Sequence, residues 1–437
     1  MNPRLPVAAA RLAVCRALLL PLLLQWPLAQ ALAATPPALP LDAAVGIATR
    51  HARQVDAMTA QVRAARERTV AAGQRPDPVL KLGLNNLPID GPDRFSVTRD
   101  FMTMRSVGLM QEFTRADKRA ARGARAERDV ALAEAERRQA VAAVQRDAAL
   151  AWLDRSFAES VREQLLGQIA QAGQQVQAAE VMYHSGRGSQ ADVYAARSEV
   201  EGLRDRLDEA ERDIEVATAR LARYVGDAAN EPLGSRPAFV LPAWLAVDGA
   251  VALDALPDIA ARREQEAAAV ADAQVADAER QADWSVELMY SQRGTAYSNM
   301  VSINLSVPLQ WDRARRQDRE HAATLARIDE AQARREDAER AVQAELQSGQ
   351  RAWRSHERRL RRHDEALLPL AEQRAAATLS AYAAGSGTLA AVFEARRNAL
   401  QVHLDRLSIE ADIARLWAQL NFLMPQPDGQ ALPRSTP

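Results

Sequence analysis

The sequence predicts a mainly α-helical protein with a small β part, in which one structural unit occurs twice. The first observation is an internal repeat: Tyr183–Ser189 matches Tyr382–Thr388 at an offset of 199 residues. The second is a pair of long stretches rich in Ala, Arg, Glu and Gln, 115–182 and 313–382, whose only proline is Pro369. The third is a set of short segments in which apolar and polar residues alternate, as in strands with one apolar face.

Composition excludes several classes of protein. The chain has 437 residues, 48% of them hydrophobic, which is too apolar for a disordered chain. Its 56 Lys and Arg against 57 Asp and Glu give a net charge of -1, which argues against a protein built to neutralise nucleic-acid phosphates. Apart from the N-terminus no apolar run is long enough to cross a bilayer, so a polytopic helical membrane protein is excluded.

The N-terminus has the pattern of an export signal. A region with three arginines leads into an apolar stretch at 17–28, and small residues follow at 29–33. We therefore expect residues 1–33 to be a cleaved signal peptide, which changes the net charge to -4 because three arginines are removed. The only cysteine, Cys15, lies within it, so the mature chain is expected to have no thiol chemistry.

The repeat sets the domain organisation. Each copy should run helix, two strands, long helix, turn and helix, with first helices near 42–73 and 249–281 and last helices near 190–225 and 389–422. A segment rich in Pro and Gly separates the copies. The predicted parts are a signal peptide (1–33), a first repeat (34–226), a linker (227–247), a second repeat (248–425) and a C-terminal tail (426–437).

The alternating segments predict four strands. The clearest is Val301–Leu309, where every second residue is apolar and Ser302, Asn304 and Ser306 lie between them. We expect strands of about 9–11 residues, the length that crosses an outer-membrane hydrocarbon layer when tilted. A hairpin packed on a soluble core has the same pattern, so alternation alone leaves both possibilities open.

The long stretches predict helices of roughly 100 Å each, at about 1.5 Å per residue. Helices of this length must pack lengthwise against others. Alanines at 140–143 and 375–377 would let helix backbones approach closely, as in coiled coils.

The turns after Tyr183 and Tyr382 predict sharp helix reversals. We expect four glycines to adopt positive φ angles there, Gly186, Gly188, Gly385 and Gly387. Ser189 and Thr388 are the predicted N-caps of the next helices, and Asp192 completes a near capping box with Ser189.

The sequence resembles the TolC family of outer-membrane efflux proteins over residues 40–425. The duplicated order of elements and the two Gly-x-Gly-Ser/Thr turns carry the resemblance. Within the family, the segments Pro76–Pro78, Asn86–Pro88 and Phe101–Phe113 are most similar to the heavy-metal branch of CzcC and CusC type.

The resemblance implies a homotrimer in which four strands per chain close a 12-stranded β-barrel and the helices form a coiled-coil periplasmic tunnel. The apolar strand faces would meet outer-membrane lipid, with Trp284 and Trp311 in an interfacial aromatic girdle. The residues then expected to line the water-filled lumen are Ser285, Glu287, Ser302, Asn304 and Ser306.

The implied function is passive conduction of substrate out of the cell. The resemblance to the metal branch implies that this substrate is a heavy-metal cation. A periplasmic adaptor protein and an inner-membrane RND-type pump would be the partners, and nucleic acid would not. The tips would dock the adaptor or line the closing end of the pore, with candidates Gly186, Gly188, Ser189, Asp192, Gly385, Gly387, Thr388 and Glu394.

Other functions were weighed against this one. The sequence shows no phosphate loop, no Ser/His/Asp arrangement and no Cys cluster. Nothing in it therefore indicates an enzyme, a metal centre or a cofactor. Met102 and Met104 could offer soft metal ligands on an extracellular loop, although methionine more often fills gaps. The alternatives are a channel of the same fold for drug efflux or type I secretion, and a periplasmic coiled-coil scaffold that forms no channel.

Overall fold

The computed structural model describes residues 38–246 and 253–427. The predicted signal peptide, Cys15 and most of the C-terminal tail lie outside these residues. Within them the predicted fold class is confirmed: the chain is mainly helical and carries one four-stranded sheet.

The first half of the chain has two helices, two strands and two long helices. They are α1 (Leu41–His51), α2 (Arg53–Ala72), β1 (Val79–Asn85), β2 (Met104–Phe113), α3 (Ala116–His184) and α4 (Gln190–Val225).

The second half repeats this order after a 3-10 turn at Gly226–Asn230. Its elements are the short α5 (Ala243–Ala246), then α6 (Pro257–Glu279), β3 (Trp284–Gln292), β4 (Met300–Ser306), α7 (Gln317–Arg362), α8 (Leu368–Ala383) and α9 (Leu389–Asn421).

The first predicted helix, 42–73, is interrupted where the sequence has no breaker. Ala52 is extended, with ψ 107°, and separates α1 from α2. Leu41 and Val45 of α1 pack in the core around Trp152, whereas Val62 of α2 packs along α3. Two different burial targets decide the break, so it depends on tertiary packing.

The counterpart in the second repeat, predicted at 249–281, begins later. Pro257 is at the start of α6 and has no N–H to donate, which suits a first helical turn and not a helix interior. Residues 249–252 lie outside the described part of the chain.

The long stretch predicted at 313–382 is not one regular helix. It begins at Gln317, after a 3-10 turn at Arg313–Arg315, and passes through a π-helical turn at His363–Leu367. Pro369 explains the π turn, because its ring crowds the carbonyl four residues earlier and it donates no hydrogen bond. The stretch predicted at 115–182 is unbroken in α3, whose 69 residues span about 100 Å.

The largest apolar cluster joins the two repeats at equivalent positions. Trp152 of α3 and Trp353 of α7, which follow an alanine at corresponding places in the two repeats, are buried in the same cluster with Trp417 of α9. The Trp152 indole N–H donates to the Leu39 carbonyl at 3.0 Å and so holds the start of the described chain against α3. The repeats therefore share one core.

Helix α6 lies between α3 and α7 and is bound to both by ion pairs. Arg122 of α3 contacts Glu279 at 3.0 Å, and Arg335 of α7 contacts Glu266 at 2.6 Å. These contacts give some of the Arg and Glu residues along the long helices a structural role.

The two long helical stretches, α3 and α7 with α8, differ in how many side chains they bury. Helix α3 buries residues along its length, including Ala140, Ala142 and Ala149. Helix α7, with 46 residues, buries Thr324, Leu346, Gly349 and Trp353. Ala376 and Ala377 in α8 are exposed, so the close packing predicted for these alanines is not made within one chain.

The sheet is antiparallel in the order β1-β2-β3-β4, so the two hairpins of the repeats join at the centre. Strands β2 and β3 have 10 and 9 residues, as predicted, but β1 and β4 have 7 each. Local sequence shortens these edge strands: Pro78 precedes β1, Asn86 with φ +55° ends it, and Pro308 follows β4.

Candidate functional site

The strand register places the five candidate lumen residues on one face of the sheet. Ser285 lies opposite Ser306, and Glu287 lies opposite Asn304. Ser302 lies opposite Met289, two residues from Glu287 and so on the same face. We call this surface the polar face.

The opposite face is mostly apolar and is exposed along all four strands; its polar members are Arg105, Gln111 and Gln292. Ile303 is 73% exposed and Leu82 is 75% exposed. An exposed, largely apolar surface of this kind marks contact with a membrane or another protein. The exposed members of this face are Leu80, Leu82, Leu84, Val107, Leu109, Trp284, Leu288, Tyr290, Val301, Ile303 and Leu305.

Glu287 is held by a residue that the sequence reasoning missed. The ammonium of Lys81 on β1 lies 2.7 Å from the Glu287 carboxylate on β3, across the intervening strand β2. Gly108 stands opposite Lys81 on β2 and has no side chain to obstruct the contact. The signal was present, because Lys81 alternates with Leu80 and Leu82 and therefore points to the polar side.

The polar face also carries all four methionines of the strands. Met104 and Met110 lie on it in β2, Met289 in β3 and Met300 in β4. Met104 was predicted to lie on a loop, which is wrong, because it is the first residue of β2. Met102 lies in the loop that precedes β2 and is exposed, as expected.

A buried ion pair fixes the sheet to the long helix α3. The Lys118 ammonium lies 2.7 Å from the carboxylate of Asp283, the residue before β3, and only 6% of the lysine side chain is exposed. The Arg115 amide also donates to Asp283 at 3.0 Å. Partial burial alone would raise the pKa of Asp283, but these hydrogen bonds and the Lys118 charge outweigh it and lower that pKa.

An aromatic stack lies at the same end of the strands. The rings of Phe113 and Trp284, the last residue of β2 and the first of β3, are 4.3 Å apart and nearly parallel. Trp311, beyond β4, is 88% exposed. Both tryptophans are thus at the helical end of the sheet, where the aromatic girdle was predicted.

The two helix reversals use their glycines in two ways. Gly186 and Gly385 have φ angles of +71° and +76°, as predicted. The prediction was wrong for Gly188 and Gly387, which do not have positive φ. They are required instead for close approach, because a Cβ on Gly387 would lie 3.0 Å from the Tyr382 nitrogen.

The predicted N-caps are present. Ser189 Oγ accepts from the Asp192 amide at 3.1 Å, while the Asp192 carboxylate accepts from the Ser189 amide, which completes the capping box. Thr388 Oγ1 accepts from the Ala391 amide at 3.3 Å without a reciprocal carboxylate. The turns are therefore similar in backbone and different in charge.

The structure brings the two tips together. Val193 and Ala196 of α4 pack against Leu389 and Val392 of α9 in one apolar cluster. The pKa of Tyr382 is raised, first by partial burial and then by the negative charge of Asp192 from the other hairpin. Side by side, the tips form one end of the molecule.

The second acidic candidate at this end is also paired. Glu394 contacts Arg374 of α8 at 3.0 Å, with both side chains largely exposed. Asp192 and Glu394 are thus held by a cap and by an ion pair, and a role for either in a pore stays a prediction.

No helix among residues 38–246 and 253–427 has the length and apolar character needed to cross a membrane.

Comparison with known proteins identifies a family and a set of similar folds. The family model described as outer membrane efflux protein matches residues 45–227. No curated protein matches the chain.

Similar solved structures are outer-membrane channels. CusC shares 15% identity, covering 88% of this chain and 92% of that one, with a TM-score of 0.75. The outer membrane protein VceC from Vibrio cholerae shares 19%, covering 88% and 95%, with a TM-score of 0.71. The CmeC outer membrane channel from Campylobacter jejuni shares 14%, covering 89% and 87%, with a TM-score of 0.72. The chain therefore has the fold of these channels.

Proposed function

We propose that this chain, a member of the outer membrane efflux protein family by its residues 45–227, is the outer-membrane channel of a tripartite efflux system. The observation that supports it best is the sheet, whose one face is largely apolar and exposed while the other carries Ser, Asn, Met and a Lys–Glu pair. This division suits strands that separate lipid from a water-filled lumen.

A homotrimer follows from the edges of the sheet. Strands β1 and β4 each pair on one side only within the described chain. Unpaired strand edges are not tolerated in lipid, and four strands are too few to close a barrel. Three copies would join β4 of one chain to β1 of the next and so close a barrel of twelve strands. The barrel would contain three hairpins from the first repeat and three from the second.

The helices supply a second argument for neighbouring copies. Helix α7 buries few residues, and Leu325, Leu367 and Leu370 remain exposed along the line of α7 and α8. A helix this long requires packing along its length to be stable. In a trimer the neighbouring chain would cover this side and form the wall of a periplasmic tunnel.

The mechanism is passive. The polar face and the tunnel would conduct substrate, while an inner-membrane RND-type pump supplies the energy. The paired tips, Tyr183–Ser189 and Tyr382–Thr388, would meet a periplasmic adaptor protein. Heavy-metal cations are the proposed substrate class, on the resemblance of Pro76–Pro78 and Phe101–Phe113 to the metal branch.

The test uses two adjacent substitutions on opposite faces of β4. An arginine at Ile303 would face lipid and cost about 2–4 kcal/mol near the bilayer midplane, whereas an arginine at Asn304 would face water. We expect Ile303→Arg to abolish a heat-modifiable oligomer in outer-membrane fractions and Asn304→Arg to retain it. Equal behaviour of the two variants, or wild-type protein in the soluble periplasmic fraction, would contradict the proposal and favour a scaffold.

The substrate class needs a separate measurement. A deletion strain should become more sensitive to one or more of zinc, cobalt, cadmium, copper and silver, and complementation should restore growth. Sensitivity to drugs with unchanged metal tolerance would instead indicate the drug-efflux alternative.

A further inference from the structure

The methionines of the sheet lie where an apolar side chain is least expected. Met104, Met110, Met289 and Met300 all belong to the polar face, beside serines and an ion pair. Met300 is 47% exposed and the other three are half-buried, so none of them fills a gap in a closed core. A gap-filling role explains methionines in packed interiors but not a thioether presented at a water-facing surface.

Three of these methionines form a diagonal across neighbouring strands. Met110 lies opposite Glu287, and Met289 lies two residues further along the same strand. Met300 lies opposite Ser291, which is again two residues from Met289. Diagonal neighbours on one face are about 7–8 Å apart at their Cα atoms, which is within reach of long side chains.

The surroundings do not oppose a cation. The nearest lysine, Lys81, is neutralised by Glu287 at 2.7 Å. Glu112 lies two residues from Met110 on the same face and is exposed, which adds a negative charge. In the described part of the chain no group of three or more His, Cys, Asp or Glu side chains is arranged to hold a metal ion.

We propose that Met110, Met289 and Met300 form a thioether path on the polar face that binds soft monovalent cations, Cu(I) and Ag(I), in transit. Thioether sulfur selects such ions over zinc, cobalt and magnesium, which prefer nitrogen and oxygen ligands. Neutral ligands at an exposed surface bind weakly enough for release, which conduction through successive sites requires. The proposal rests on the proposed channel function and narrows its substrate class.

The test measures silver binding and conductance with the same protein. Purified mature oligomer, with intact mass showing the loss of residues 1–33, is titrated with silver nitrate in chloride-free buffer. The triple variant Met110→Leu, Met289→Leu and Met300→Leu keeps side-chain volume and removes the sulfurs. We expect saturable Ag⁺ binding by the wild type, weakened at least about tenfold in the triple variant, because losing even an outer-shell partner of a bound metal costs about 10–100-fold in affinity.

Two control variants test whether silver binding depends on these three methionines or on any methionine of the chain. Met104→Leu changes a methionine on the same face that lies off the diagonal, about 20 Å from Met110 along β2, and should weaken binding less than the triple variant does. The double variant Met58→Leu and Met182→Leu changes methionines in helices and should leave silver binding unchanged. Zinc nitrate should give no comparable binding.

The outcomes are distinct. Wild-type oligomer that conducts in planar bilayers but binds no silver, or a triple variant that binds it as tightly as wild type, overturns the thioether path and leaves the channel function intact. Protein that forms no conducting oligomer overturns the channel function, and the path with it.

Discussion

Lys81 and Glu287 meet across an intervening strand: the ammonium nitrogen lies 2.7 Å from a carboxylate oxygen, although 206 positions separate the residues in the sequence. The contact joins β1 of the first repeat to β3 of the second. It exists because Gly108, between them on β2, presents no side chain to the polar face. Glu287, which the family resemblance implied would line the lumen, is thereby neutralised.

Breaking this pair should change ion selectivity. Lys81→Leu would leave an unneutralised carboxylate at Glu287 in each chain, which attracts cations in a confined pore. We expect reversal potentials in a KCl gradient to shift toward cation selectivity, and Glu287→Gln to shift them the other way. The double variant is the control and should return close to wild type; unchanged reversal potentials in both single variants would show that the pair lies off the conduction path.

Removing the partner of a buried lysine should destabilise the junction of sheet and helix. Asp283→Asn leaves the Lys118 ammonium with 6% of its side chain exposed and no counter-charge. Breaking a buried pair from one side costs about 3–5 kcal/mol. We expect a lower unfolding temperature by circular dichroism, largely restored by adding Lys118→Met. A double variant as unstable as Asp283→Asn would mean that burial of the charge is not the cause.

The same aspartate should make stability depend on acid. The pKa of Asp283 is lower in the folded chain than in the unfolded chain. Its contribution is therefore complete above the unfolded value, about 3.9, and is lost as pH falls through the folded value. We expect the wild-type unfolding temperature to fall below about pH 4 more steeply than that of Asp283→Asn, because the variant has no carboxylate to protonate there. Parallel pH profiles would assign acid sensitivity to other carboxylates.

Charge at the tips can be separated from helix capping. Asp192→Ala removes both a negative charge and half of the capping box, whereas Ser189→Ala weakens the cap and keeps the charge. If Asp192 lines the pore entrance, single-channel conductance or cation selectivity should change in Asp192→Ala and not in Ser189→Ala. Equal changes would indicate an effect through the cap, and unchanged values in both would remove Asp192 from the pore.

Replacing a glycine of the turn by alanine should increase proteolysis far more than replacing a glycine at a helix end. Gly385 has φ +76°, so Gly385→Ala forces a side chain into the left-handed region at a cost of about 1–2 kcal/mol. Limited proteolysis should then cut faster at the tip. Gly73 is the matched control, since its φ is -87° and a Cβ there would meet nothing within 4 Å. A Gly73→Ala variant as sensitive as Gly385→Ala would show that helix-end glycines in general control cleavage.

Much of the fold was predictable because its signals are local. Periodicity located the strands and the long helices, and the capping box at Ser189 was readable from residue types three positions apart. The break at Ala52 was not predictable, since no local residue requires it and only the separate packing of α1 and α2 does. The π turn before Pro369 had a visible cause, although its position depends on how the helix accommodates the ring.

The candidate site shows the same division. Alternation assigned Ser302, Asn304 and Ser306 to one face, because successive side chains of any strand point to opposite sides. It could not show which residue stands beside which across strands, since register is set by pairing between segments distant in the sequence. The Lys81–Glu287 pair and the Met110–Met289–Met300 diagonal are consequences of register and were therefore missed.

By itself the sequence determined the duplicated plan, the elements of each repeat and the chemistry of their turns, because these depend on neighbouring residues. Only the tertiary structure decided which charges neutralise each other and which methionines come together. Those features depend on distances between segments as far apart as β1 and β3, and hydrophobic periodicity contains no information about such distances.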